Sequence, residues 1–291
     1  MKADDSVPQL LDQLRKKARM QTARDWQRTI RWEVDDQKLF WRVSEGAIVS
    51  CDSAETDITL GCSAQTLEKI ARGTLPFFIA IWATGDLSYE GSFADAFKLG
   101  YLFLTDRRGR RIVFLAHCFL NTNTRFPGGS AFEGATIPLV QTLLESGVGI
   151  IQMPCPEFLC LGLEKGLYGK MSEADMRACF RQTALTVIDQ AEAYLADGYE
   201  ILGIIGMNPS PSCGVEVTKG KGTMLGIDRD TSEKEGSGVF IEELRKLARE
   251  RRMHDLPFFG VRRMLPGEGG LEERLKDVKR RLQRGPHERR L

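Results

Sequence analysis

The sequence predicts an α/β protein built as two domains, and three observations carry this reading. Residues 29–63 form short runs of alternating apolar and polar residues separated by turn signals, as strands with one buried face do. Beyond residue 111 the apolar runs no longer alternate and helical stretches separate them, as a parallel sheet covered on both faces requires. Between the two patterns lies the charged run "DRRGRR" at 106–111. The boundary is therefore set near residues 105–111, giving domains of 1–106 and 107–291.

The elements follow in order. Residues 6–24 read as a helix with Leu10, Leu11 and Leu14 on one face and a cap at Ser6. "TIRWEV", "KLFWRVSEG", "AIVSCDS" and "TDITLGCS" are rich in Trp, Val, Ile and Thr, with turns at Asp35-Asp36, Glu45-Gly46 and Asp52-Ser53. They read as an antiparallel meander. Ser63 caps a helix through about Arg72; "LPFFIAIWATG" is an apolar segment, "LSYEGS" a last strand and "FADAFKLGYLF" a closing helix. In the second domain, 112–118, 149–155, 201–207 and 257–264 read as parallel strands, and 133–146, 172–197 and 238–252 as helices. The Gly- and charge-rich segment 216–238 reads either as a loop able to close over a site or as a disordered insertion, and 269–285 as a surface helix with a tail.

Composition bounds the function. Among 291 residues, Lys plus Arg number 41 and Asp plus Glu 40, which is not the basic field of a nucleic-acid-binding protein. The basic runs "RRGRR" and "KRRLQR" read as solvated charge. No stretch of about 18 uncharged apolar residues appears, so no membrane span is expected. The N-terminus lacks the apolar core of a signal peptide, and a cytoplasmic protein is expected. Seven cysteines are an odd number, in a chain too long to need disulfide staples. They are expected as thiols, some buried and some binding metal.

The cysteines sort by position. Cys118, Cys155 and Cys213 each lie at or just beyond the C-terminal end of a predicted parallel strand, where open α/β sheets bind ligands. Cys51, Cys62 and Cys179 read as core or surface thiols, and Cys160 as either a spare ligand or packing. Three thiols from three strand ends can hold zinc with an open fourth position. They can equally hold a 4Fe–4S cluster with one iron free of protein ligands. Spacing does not choose between these, nor between a shared metal centre and three unrelated strand-end cysteines. The prolines at 154, 156, 209 and 211 stiffen two of the thiol loops, as a preorganised site needs.

The motifs "HCFLNTN", "PCPE" and "SPSCG" resemble the thiouracil desulfidase (TudS-like) domain over about residues 111–266. The first motif departs from the commoner pattern, which has Ser before Ala-Cys and Arg-Tyr-Asp-Gly after it. The resemblance implies a Rossmann-like domain whose 4Fe–4S cluster is held by Cys118, Cys155 and Cys213. It implies non-redox removal of sulfur from a thiolated pyrimidine, converting C=S to C=O and releasing sulfide. On that chemistry Glu157 is the expected base and Ser210 the proton relay or orienting hydroxyl. Asn121, Asn123, Asn208 and Ser212 are the expected substrate contacts. The substrate class spans free base, nucleoside and nucleotide, with thiolated RNA left open. The alternatives are a cluster-bearing sensor without turnover and a zinc hydrolase on the same cysteines.

Residues 6–105 resemble a sterol carrier protein type-2-like α+β domain through their strand–turn pattern, the "LEKIARG" helix and the "GDLSYEG" strand. That resemblance implies an apolar ligand in a tunnel, with Phe77, Phe78, Ile81 and Trp82 as candidate lining.

Overall fold

A computed structural model describes residues 6–53, 55–104, 109–163, 165–167, 169–220, 222, 224–226, 232–265 and 270–283. The chain divides into two compact units, Met1–Arg108 and Gly109–Leu291, each with its own hydrophobic core. Among the described residues no helix is long and apolar enough to cross a membrane.

The first unit begins with α1 (Val7–Lys16), whose capping residue Ser6 donates its backbone N–H to the Gln9 side chain at 2.9 Å. The helix expected to run to residue 24 stops at Lys16, and a separate 3-10 turn covers Met20–Ala23. Arg19 leaves helical geometry and donates its N–H to the Leu102 carbonyl at 2.8 Å, so a tertiary bond overrides local propensity. The strands are β1 (Arg28–Val34), β2 (Gln37–Ser44), β3 (Ala47–Ser50), β4 (Ile58–Cys62) and β5 (Ser88–Glu90), in the order β3-β2-β1-β4-β5.

Only β1, β2 and β3 form the expected meander. β4 pairs with β1 in parallel, Ile30 opposite Ile58 and Trp32 opposite Leu60. Alternation shows that a strand has one buried face; it does not name the neighbour. Ser63 caps α2 (Ala64–Arg72) by accepting the Thr66 N–H. Further on come α3 (Phe77–Trp82) and α4 (Phe93–Leu102). The proposed tunnel residues separate by helical period: Phe77 and Ile81 join the core, whereas Phe78 stacks on the half-exposed Trp82 at 4.9 Å. The four therefore do not line one interior.

In the second unit β6 (Arg111–Leu115) leads into α5 (His117–Leu120), and α6 (Ile137–Glu145) precedes β7 (Gly149–Gln152). Next come α7 (Pro156–Leu161), α8 (Glu173–Ala196) and β8 (Glu200–Asn208). A small antiparallel pair, β9 (Val217–Thr218) and β10 (Lys234–Glu235), then precedes α9 (Val239–Glu250), β11 (Phe258–Arg262) and α10 (Leu271–Gln283). The sheet order is β11-β8-β6-β7 and every pairing is parallel. β8 is buried from Ile201 to Asn208, which explains its unbroken apolar run.

Two expectations change here. Cys160 and Cys179 are joined in a disulfide rather than standing as thiols; it ties α7 to α8, which the 19-residue separation alone did not announce. The expected strand 112–118 ends at Leu115, so Cys118 stands on α5 instead of on the strand. Of the expected loop 216–238, residues 221, 223 and 227–231 lie outside the described residues, and its ends pair as β9 and β10.

Candidate functional site

The site forms at the C-terminal ends of β6, β7 and β8, where the chain leaves the sheet. Cys118 comes from α5, Cys155 caps the start of α7, and Cys213 sits in the loop after β8. That last loop is held close to the strand. A Cβ on Gly206 would strike the Cys213 carbonyl, and a Cβ on Gly214 would meet the Val217 carbonyl and stand 2.7 Å from that of Ser210. Glycine at both positions permits the approach.

All three thiols line one cavity of about 460 Å³. Cys118 Sγ lies 3.9 Å from Met207 Sδ. Cys155 Sγ accepts the Phe158 N–H at 3.4 Å and lies 3.9 Å from Lys165 Nζ. Burial pushes the Cys118 thiol up to about 12, with the Arg125 cation pulling the other way. Burial also raises Cys155, against the opposing pull of Lys165. Cys213 rises well above the ordinary thiol range through burial and then through the neighbouring Cys118, Cys155 and Glu157. Each thiol is therefore neutral at pH 7 unless something binds it as a thiolate.

The candidate acid–base residues form one connected chain. Ser212 Oγ donates to Glu157 Oε1 at 2.5 Å and stands 3.1 Å from Ser210 Oγ. Ser210 Oγ accepts the backbone N–H groups of Ser212 and Cys213, at 3.3 and 3.1 Å. Glu157 Oε2 faces Lys165 Nζ at 3.4 Å. Ser212 thus makes the hydroxyl–carboxylate contact, and Ser210 shapes the loop that carries Cys213.

The asparagines sit differently from the sequence expectation. Asn121 Oδ1 accepts the N–H and the side-chain amide of Asn123, at 3.1 and 3.0 Å, and neither residue lines the cavity. Asn121 caps the 3-10 turn Thr122–Thr124, and Asn123 lies within it. Asn208 does border the cavity, but its amide is committed to the scaffold. It donates to Glu216 at 2.7 Å and accepts the Val215 N–H at 2.8 Å.

Sequence reasoning missed the cations. Among the described residues, Arg125, Lys165, Lys219 and Arg263 line the cavity against the single carboxylate of Glu157. The Nε of Arg125 is buried with no hydrogen-bond partner among the described residues. Arg125 follows the "HCFLNTN" motif by two residues, the one signal available for it; Lys165 and Arg263 carry none.

These features fit a 4Fe–4S cluster: three soft donors, surplus cations to balance thiolate charge, and room for a group much larger than one ion. Among the described residues no three His, Cys, Asp or Glu side chains stand close enough to share one metal ion. A cluster spreads its ligands over several irons and does not ask for that closeness.

No protein-family model matches the chain. Solved structures similar to part of it include a sec-alkylsulfatase, Pisa1, from Pseudomonas sp., 23% identical, covering 31% of this chain and 14% of that one at a TM-score of 0.27. Palmitated SCP2L2 from Aedes aegypti is 16% identical and covers 34% of this chain and 96% of that one, at a TM-score of 0.29. The uncharacterized protein MJ0003 of Methanocaldococcus jannaschii is 31% identical over 122 residues, 40% of this chain and 75% of that protein. The chain belongs to the family of MJ0003.

Proposed function

We propose that the second unit is a non-redox desulfidase that hydrolyses the thiocarbonyl of a thiolated pyrimidine to a carbonyl, consuming water and releasing hydrogen sulfide. The observation that carries this reading is one cavity lined by Cys118, Cys155 and Cys213 together with a carboxylate–hydroxyl pair, Glu157 and Ser212. The motif resemblance to thiouracil desulfidases points the same way.

Cys118, Cys155 and Cys213 would hold a 4Fe–4S cluster, whose iron without a protein ligand supplies Lewis acidity toward a soft sulfur. This chain's residues do the rest. Glu157, with Ser212 on one oxygen and Lys165 on the other, takes a proton from the attacking water. Ser212 passes it along the hydroxyl chain or holds the carboxylate toward the water. Arg125, Lys219 and Arg263 give the wall a positive potential, which suits an anionic group on the substrate and favours a nucleotide over a free base.

A cluster-bearing sensor needs the thiols but has no use for the Glu157–Ser212 pair, so that pair favours turnover. A zinc hydrolase needs three sulfurs at one ion, each about 2.3 Å away, and the spread of donors disfavours it. An apolar ligand for the first unit rests on the sterol-carrier resemblance alone. Anaerobically prepared protein mixed with thiouracil, thiouridine and its monophosphate tests the reading. Sulfide release matched by loss of the thiocarbonyl is expected, fastest with the monophosphate. A cluster-loaded protein that releases no sulfide from any of the three contradicts it.

A further inference from the structure

We infer that Lys165 is a positioning residue that holds the Glu157 carboxylate in place and offsets negative charge at the Cys155 sulfur; the inference rests on the desulfidase reading above.

A lysine is almost never buried unless it is paired. The Lys165 side chain is only 7% exposed, and its ammonium has two partners, Glu157 Oε2 at 3.4 Å and Cys155 Sγ at 3.9 Å. The backbone that delivers it is unusual. Gly162 and Lys165 both take positive φ, +83° and +59°, and the Lys165 N–H closes a turn onto the Gly162 carbonyl at 3.0 Å. Left-handed backbone is uncommon for a side chain of this kind and persists where the surroundings fix it, often beside functional groups.

Glu157 brings negative charge to the thiols, which a neighbouring cation offsets. It stands two residues from Cys155 and close enough to all three site thiols to be felt by them as like charge. Once those sulfurs bind as thiolates, the like charge on Glu157 is disfavoured unless a cation offsets it. Lys165 takes Oε2 and leaves Oε1 directed at Ser212. Two of the other lining cations make their contacts elsewhere, although Arg125 also feels the Glu157 charge. Arg125 acts on Cys118 and contacts Met207 Sδ at 2.9 Å, and Arg263 donates to the Gly129 carbonyl at 2.8 Å.

The test compares full-length, cluster-loaded parent with Lys165→Met, Lys165→Gln and Lys165→Arg. Three quantities are read: iron content, steady-state kinetics of sulfide release, and the midpoint potential of the cluster. In the Met and Gln variants iron content and KM should stay near parental, while kcat falls roughly tenfold or more, as expected for losing a charge-assisted contact. Their potential should shift negative, because a cation beside a ligand sulfur favours the added electron. Lys165→Arg should restore the potential and part of kcat. Parental kcat and potential in the Met and Gln variants would overturn the role of Lys165. A parent that carries its cluster but releases no sulfide would overturn the desulfidase reading, a separate outcome.

Discussion

Replacing Ser212 with alanine removes one oxygen from the centre of the site. That oxygen is 2.5 Å from Glu157 Oε1, and the residue is 2% exposed, so solvent does not readily replace it. A hydrogen bond to a charged group contributes about 1.5–3 kcal/mol. At 1.36 kcal/mol per tenfold in rate, losing it from the transition state slows turnover about 10- to 150-fold. The upper end applies if the hydroxyl also carries the proton. KM should move little, since the bond lies between protein groups. The assay is sulfide release per intact cluster, so that any loss of cofactor is divided out. A Ser212→Ala protein with parental iron content and a kcat within about threefold of parent would refute the argument that this hydroxyl orients or feeds the carboxylate.

Two further perturbations test the scaffold. Removing the Cys160–Cys179 disulfide by double substitution to alanine frees a loop of 19 residues' separation and should cost about 3 kcal/mol; a lowered urea midpoint by far-ultraviolet circular dichroism would register it, and an unchanged midpoint would contradict it. In the first unit burial raises the Asp95 carboxyl, but hydrogen bonds from Trp26, Arg28 and Ser92 outweigh it and hold the group below its ordinary 3.8. A carboxyl depressed in the folded state adds stability that is complete above the unfolded value and is lost as pH falls through the folded one. The parent should therefore lose stability below about pH 4, and Asp95→Asn should be less stable at pH 7 and flatter in acid. All four tryptophans, at 26, 32, 41 and 82, lie in this unit, so their fluorescence follows its unfolding in the whole chain.

How much of this the residues announced depends on range. β8 was legible because a strand buried on both faces must be apolar throughout, and Ser63 because a cap bonds within three residues. The parallel β1–β4 pairing was not legible, because a strand's alternation is the same whichever neighbour it has. Cys118, Cys155 and Cys213 could be grouped from their places at strand ends. The assignment between Ser210 and Ser212 could not be made from spacing, since a loop with two prolines gives no period by which to aim a side chain. Lys165 enters from a turn of two left-handed residues, and nothing nearby marks its direction.

The central claim is that three strand-end sulfurs share one inorganic centre. Iron and acid-labile sulfide counted per chain, on anaerobically prepared parent and on Cys118→Ala, Cys155→Ala and Cys213→Ala, measure it directly. The parent should hold about four of each, and every single substitution should remove most of them. A colourless parent carrying zinc or no metal, or variants that keep the parental iron, would contradict it.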